Sequence, residues 1–555
     1  MLNCKVFLWW VNGLMLRQFG RSPLKFLKFL LLFCLCCGLA LGCNRSTSAP
    51  SAANQTGRIV LGTTASVSTI DPADAYGIFA GNLLYNLGDR LYGYKLGTTE
   101  LEPQLAIALP TISSDGLTYT IPLRTGVVFH DGSPFNAEAM AFSLNRFIQN
   151  SGSPAFLLSD LVKSVKATAT NELTIQLTKP FAAFPALLAF SGVCAVSPKA
   201  YEIKKGSFQS ETFVGTGAYK LVRYGTDQMR LDAFEQYWGK KPQNTGIDIQ
   251  FFSSPANLFN AFRTGSVDVA YQNLAVGQIR TLQTGAATHG WQVVEKSGSG
   301  INYLTLNLRS PPLDKLEVRQ AIAAIMDRPL VEDRVFQGQI EPLYSLIPTT
   351  LEVQKPVFEA FGDRNVAKAT ELLTQAGYSK TNPLKLEFWY RSNLVNDQLA
   401  VTTLRAIAHK KLGDLMQIDL KSVESTTAYK NLDKGAYPIF LLDWSPDFLD
   451  PDNYIQPFME CTKGSANTGC EDGSSFLQGS FYYSDRVNQL INQSRREQNP
   501  ANRKQQFADL QNQLAQDVPF IPLWQNKDYL FAQKTIRGAT LEATQKVPFS
   551  TLRKS

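Results

Sequence analysis

Asp443, Asp447, Asp450 and Asp452 fall within ten residues, and Asn453 follows at once. Carboxylates this dense have three ordinary uses: holding Ca²⁺, neutralising an ammonium, or organising turns and helix caps. The Ca²⁺ use fails on spacing. The EF-hand loop needs Gly at its sixth position and a bidentate Glu at its twelfth, and neither stands there. For Asp450 and Asp452, which flank Pro451, the structural use is the expectation; for Asp447 the choice stays open. Only three histidines occur, His130, His289 and His409, and they are far apart. There is no Gly-x-Ser-x-Gly elbow and no His-Glu-x-x-His motif. An exported hydrolase would be left with carboxylate or Ser-Lys chemistry. No His-rich or Met-rich cluster offers a site for bare metal.

Five of the eight cysteines (Cys4, Cys34, Cys36, Cys37, Cys43) lie in the first 43 residues, leaving Cys194, Cys461 and Cys470 in the body. Cys461 and Cys470 bracket a short Gly- and Ser-containing loop, which suits a local disulfide in an oxidising compartment. Cys194 is then unpaired and expected to be a buried small hydrophobe.

The N-terminus explains that compartment. Arg17, Arg21, Lys25 and Lys28 precede an apolar and small-residue run from Phe29 to Gly42, and Cys43 stands directly after it. A spanning helix needs roughly 20 apolar residues, so this run reads as an export signal, residues 1–42. Ala40 and Gly42 before Cys43 resemble a lipobox, with Ala40 where Leu, Val or Ile is usual. Cys43 is the expected lipidation site, and 43–57, rich in Ser, Thr, Ala and Asn, the tether to the membrane.

The whole chain of 555 residues carries a formal charge of +7. Lys5, Arg17, Arg21, Lys25 and Lys28 account for most of it. Removing those five from 54 basic residues leaves 49 against 47 acids. A near-neutral body without a basic, aromatic-studded run has no footprint for nucleic acid. At 44% hydrophobic and 18% charged, the chain is too apolar for disorder and long enough for more than one core.

Elements able to position these residues are legible. Arg58–Gly62, Thr118–Leu123, 173–178, 384–389 and 438–442 read as strands. Asn136 can cap a helix whose apolar face is Ala137, Met140, Ala141, Leu144 and Ile148. Helices are predicted over 315–326, over 366–376 with Gly377 as the stop, and over 484–517 with a break at Asn499-Pro500. Helices and strands mix from end to end, so the class is α/β.

Residues 115–147, DGLTYTIPLRTGVVFHDGSPFNAEAMAFSLNRF, closely resemble the diagnostic segment of the family 5 extracellular solute-binding proteins. That family comprises receptors for dipeptides, oligopeptides, nickel and related ligands. Ser68–Pro72 looks like its opening motif. Phe213–Leu221 matches its Gly-Thr-Gly-Pro-Tyr strand with Ala218 in place of Pro. Phe234–Trp238, Asn302–Asn307, Val318–Arg328, Trp444–Asn453 and Pro519–Trp524 follow in the family's order.

The resemblance implies a two-lobed periplasmic-binding-protein-like fold, type II and cluster C-like. The first lobe would comprise 58–92, 191–298 and 513–555, with 93–190 as an extra small domain on it and 299–512 as the second lobe. Hinge strands would lie near 298 and 513. The Gly- and Ser-containing run Lys296–Gly300 is a plausible hinge by composition. It further implies a lipid-anchored, monomeric receptor on the extracytoplasmic face. Such a receptor needs no cofactor and passes its ligand, a di- or oligopeptide, to ABC permease subunits. Asp447 stands where peptide-binding members place the carboxylate for the ligand's ammonium, with turn organisation as the alternative. Arg391 lies near the Arg that takes the ligand's carboxylate in dipeptide-binding relatives, and Trp444, Trp389 and Tyr390 could line the cleft. Arg124, Phe129, His130 and Asp131 belong to the signature and read as fold-holding. A same-build receptor for a nickel chelate, opine, oligosaccharide or haem is the rival reading, and an exported hydrolase a distant one.

Overall fold

The computed structural model describes residues 57–555. The export signal, Cys43 and the tether up to residue 56 lie outside the described residues. One mixed sheet runs through the molecule. Its main strands are β1 (Arg58–Thr63), β2 (Tyr219–Arg223), β3 (Gln228–Ala233), β4 (Gly246–Phe251), β5 (Val269–Tyr271), β6 (Gln292–Leu306), β7 (Leu384–Arg391), β8 (Met416–Val423), β9 (Ile439–Trp444) and β10 (Phe520–Ala532). Their order is β8-β7-β9-β6-β10-β5-β1-β4-β3-β2, with the short strand Ile340–Pro342 also paired to β10. β7 shows why these segments extend: Leu384, Leu386 and Phe388 are buried while Lys385 and Glu387 face out, the period-2 alternation of a half-buried strand. β1, flanked by parallel β4 and β5, is buried along almost its whole length, as expected for an interior parallel strand.

β6 and β10 are the two longest strands, 15 and 13 residues. They pair antiparallel from Gln292 opposite Ala532 to Thr305 opposite Phe520, with the register broken between Ser297 and Ile301 and again between Asn302 and Tyr303. Pro522 sits at the second break, where its missing N–H costs least. One end of this two-stranded waist continues into β5, β1, β4, β3 and β2, the other into β9, β7 and β8. Each end has its own core. Ile59, Leu61, Leu231, Ile247 and Leu530 pack with Leu541, Val547 and Phe549 at one. Leu304, Ile322, Leu373, Phe388, Leu441, Leu514 and Phe520 pack at the other. Each such side chain contributes about 1.5–3 kcal/mol by leaving water.

Lys296–Gly300, at the first of the two expected hinge strands, lies within β6. Gly298 is there for close approach, since a Cβ would meet the Asn526 carbonyl oxygen at 2.7 Å and Asp528 Oδ2 at 2.9 Å. Residue 513 lies inside the helix Pro500–Asp517, and the second crossing strand is β10, which begins at Phe520.

A four-stranded antiparallel sheet is built from Thr111–Ile112, Thr118–Pro122, Glu172–Leu177 and Val162–Ala169, in that order. The helix Ala137–Gln149 packs on it. Asn136 caps that helix, its side chain accepting from the Ala139 N–H at 2.9 Å. Arg146 from the same helix is buried against Asp71, at 2.7 and 2.6 Å. Asp71 also accepts the Ala73 and Gln209 N–H groups. The Ser68–Pro72 motif is thus a tie between three distant segments. His130 and Asp131 likewise hold the fold. Nε2–H of His130 donates to the Gly217 carbonyl at 3.0 Å, and Asp131 accepts from Ser133 and Ser197. Cys461 and Cys470 form a disulfide, Cα–Cα 5.6 Å, across the hairpin Lys463–Ser465 and Gly469–Asp472. Cys194 is free and buried, and burial pushes its thiol up to about 12. No helix among the described residues is long and apolar enough to cross a membrane.

Candidate functional site

Three adjoining cavities of about 230, 590 and 520 Å³ lie along the waist. Ser445 and Gln545 line both the first and the second, and Asp443 and Asn526 both the second and the third. Their walls come from the helix Ile78–Leu87 with its flanks, from the end of β9 and the turn after it, from β10, and from the segment 542–546.

The end of β9 sorts the acid cluster. Side chains alternate across a strand, so Asp443 faces the cavities while Trp444 turns away. The Trp444 ring meets Phe458 at 5.5 Å on the core side. The chain then turns at Pro446, with the Asp447 N–H donating to Asn453 Oδ1 at 3.0 Å. Asp450 is bound by Arg503 at 2.7 and 2.6 Å. Asp452 is bound by Arg495 at 2.8 Å through both Nε and Nη2. Asp443 pairs with Arg391. Among the described residues Asp447 alone of the four has no basic partner. Its Oδ1 accepts from the Tyr76 hydroxyl at 2.6 Å, and it lines the 230 Å³ cavity. Burial raises its pKa, against the hydrogen bond from Tyr76. A cation delivered into that cavity would relieve the penalty.

Arg391 does not offer an open fork. It is 5% exposed and lines the 520 Å³ cavity. Nε and Nη2 bond Asp397 Oδ2 at 3.2 and 3.0 Å, and Nη1 bonds the Tyr429 hydroxyl at 2.9 Å and pairs with Asp443. Two carboxylates already outweigh its charge, so a third is disfavoured there. Trp389 and Tyr390 pack on the same core as Trp444. Trp389 lies 5.0 Å from Tyr437, and none of the three aromatics lines the cavities. Of the five residues expected in the cleft, the structure brings Asp447 and Arg391 to it, in separate compartments.

Several lining groups carry no local signal in the sequence. Tyr85 and Glu542, hydrogen-bonded to each other, are 457 positions apart. Arg90 Nη1 donates to the carbonyls of Tyr85 and Gly88 at 3.2 and 2.9 Å. Burial pushes Asp528 up to about 7, with the charge of Lys546 opposing. Lys546 is driven down to about 8 by burial, with Glu542 and Asp528 opposing. Packing of the helix Ile78–Leu87 against the segment after β10, tied by Asn82 to Val547 and by Asn86 to Val547 and Phe549, brings Tyr85 to Glu542. The site is therefore a partly dry, charged groove at the junction of two bodies, suited to a small polar solute.

Residues 100–466 match the family model described as bacterial extracellular solute-binding proteins, family 5 Middle. The chain belongs to this family. The receptor is 27% identical over 473 residues to heme-binding protein A of Haemophilus influenzae, across 78% of this chain and 82% of that protein. It is 28% identical over 434 residues to the dipeptide-binding protein of Escherichia coli (strain K12), across 71% and 75% respectively. Its fold superposes on the structure of HbpA2 from Haemophilus parasuis with a TM-score of 0.77 at 21% identity, covering 90% of this chain and 100% of that one. The family 5 receptor thus has the two-lobed α/β fold of the type II periplasmic binding proteins, a family whose members bind solutes rather than convert them. The waist of β6 and β10 joins the lobes.

Proposed function

We propose that this family 5 receptor captures a short peptide outside the cytoplasmic membrane and delivers it to the permease of an ABC importer. One observation carries the reading: among the described residues Asp447 is the single acid of its cluster without a basic partner, and it lines a cavity between the lobes. A peptide's α-ammonium is the cation it lacks. Every other charge and backbone group of the peptide must also find a partner as the cleft closes, which favours an extended ligand met by polar walls. Haem, the ligand in one relative's name, presents propionate anions that Asp447 would repel; the ligand in the other's name, a dipeptide, presents an ammonium. Cys43 carries the lipid that holds the receptor to the membrane, and the receptor works as a monomer on the extracytoplasmic face.

Calorimetric titration of a di- to tetrapeptide mixture into wild type and Asp447→Ala tests this. Loss of the buried partner should weaken binding by about 2–5 kcal/mol, with circular dichroism unchanged. Equal affinity in the variant would remove Asp447 from the site.

A further inference from the structure

Lys546 lines the same 230 Å³ cavity as Asp447. Its Nζ donates to no protein acceptor and lies within 4.0 Å of no carboxylate among the described residues. Of the other cations lining the cleft, Arg391 holds Asp397 and Asp443, and Lys527 holds Glu295 at 3.0 Å and the Gly338 carbonyl. Arg90 is 2% exposed; its Nη1 donates to two carbonyls and its Nε has no partner among the described residues. The acid nearest in sequence, Glu542, is also satisfied, by the hydroxyls of Tyr85 and Thr544.

Space is kept for this ammonium. Gly81 stands in the helix Ile78–Leu87, where glycine is a poorer helix former than alanine. A Cβ at Gly81 would meet Nζ at 3.3 Å and Cε at 3.5 Å. A charged side chain with an unfilled donor set, room around its head and a cavity in front of it is built to meet an anion.

We propose that Lys546 is the partner of the ligand's carboxylate. Asp447 and Lys546 then select a short zwitterion whose two charged ends share one compartment. The assignment rests on the peptide reading above. It places the carboxylate on the first-lobe wall, away from Arg391. The competing role for Lys546 is a purely internal one, as counter-charge to Asp528 and Glu542.

Equilibrium dialysis with an equimolar dipeptide mixture, and with the same mixture as C-terminal amides, separates these roles. The bound fraction is read by mass spectrometry. Wild type should bind the amides roughly 10- to 100-fold more weakly, the loss expected when a charge-assisted bond goes. Lys546→Met should bind both forms alike, and Lys546→Arg should keep the preference. The wild-type comparison does not depend on any variant folding. Equal binding of acid and amide by wild type, or a preference that persists in Lys546→Met, overturns the assignment and leaves the peptide reading standing. Failure of wild type to bind either form overturns the peptide reading, and the assignment with it.

Discussion

His130 is the residue at which the family signature becomes physical chemistry. Its Nδ1 accepts from the Gly215 N–H at 3.3 Å, and its Nε2–H donates to the Gly217 carbonyl. That pattern requires the neutral ring, and burial pushes its pKa from the ordinary 6.5 down to about 4. The unfolded chain therefore takes up a proton between pH 6.5 and 4 that the folded protein refuses, so stability is lost as pH falls across that window. The loss is at most about 1.4 kcal/mol per pH unit. Denaturant midpoints followed from pH 7 to pH 4 should fall more steeply in wild type than in His130→Gln, which can reproduce both hydrogen bonds without titrating. Parallel curves would show that His130 is protonated in the fold. At this scale the sequence was a partial guide. Asp447 could be singled out from the Trp444–Asn453 motif, since motif and cavity fall on one short segment. Arg391 could not be judged, because its occupancy is set by Asp397, Tyr429 and Asp443 from three separate segments.

At the scale of elements, the helix Ala137–Gln149 was readable down to its Asn136 cap, because caps and apolar spacing are local. Its buried arginine was not. Nothing near position 146 announces that Asp71, 75 positions earlier, will close on it. The pair is nearly fully buried, 2% and 0% exposed, so removing one charge strands the other. Arg146→Met should cost about 3–5 kcal/mol, measured as a drop in unfolding free energy. Removing both, as Arg146→Met with Asp71→Asn, should recover part of the loss. A single variant as stable as wild type would mean that the pair is dispensable. The helices Asp485–Arg496 and Pro500–Asp517 were likewise legible as a pair broken at Asn499-Pro500. Their use was not. Each sends an arginine, Arg495 or Arg503, to the turn that presents Asp447. The second crossing, expected near 513, falls instead at β10 from Phe520, because residue 513 continues the helix Pro500–Asp517. The run 296–300 lies within β6, where Gly298 lets β10 come close.

Across the described residues two lobes are joined by two strands whose ladder is already broken between Ser297 and Ile301. Bending there disturbs few hydrogen bonds. Tyr454 steadies the joint from the second lobe, its hydroxyl donating to the Ser299 carbonyl at 2.8 Å. Saturating peptide should bring the lobes together and lower the radius of gyration measured by solution scattering. Superimposable curves with and without peptide would rule out a closing receptor.

β10 has a consequence for how the protein is made. Phe520, Ile521 and Leu523 complete one core, and Leu530 with Leu541, Val547 and Phe549 the other. A chain still emerging from the ribosome lacks the strand that both halves need. Neither lobe can close its core without that strand, so both depend on one stretch of polypeptide to become rigid.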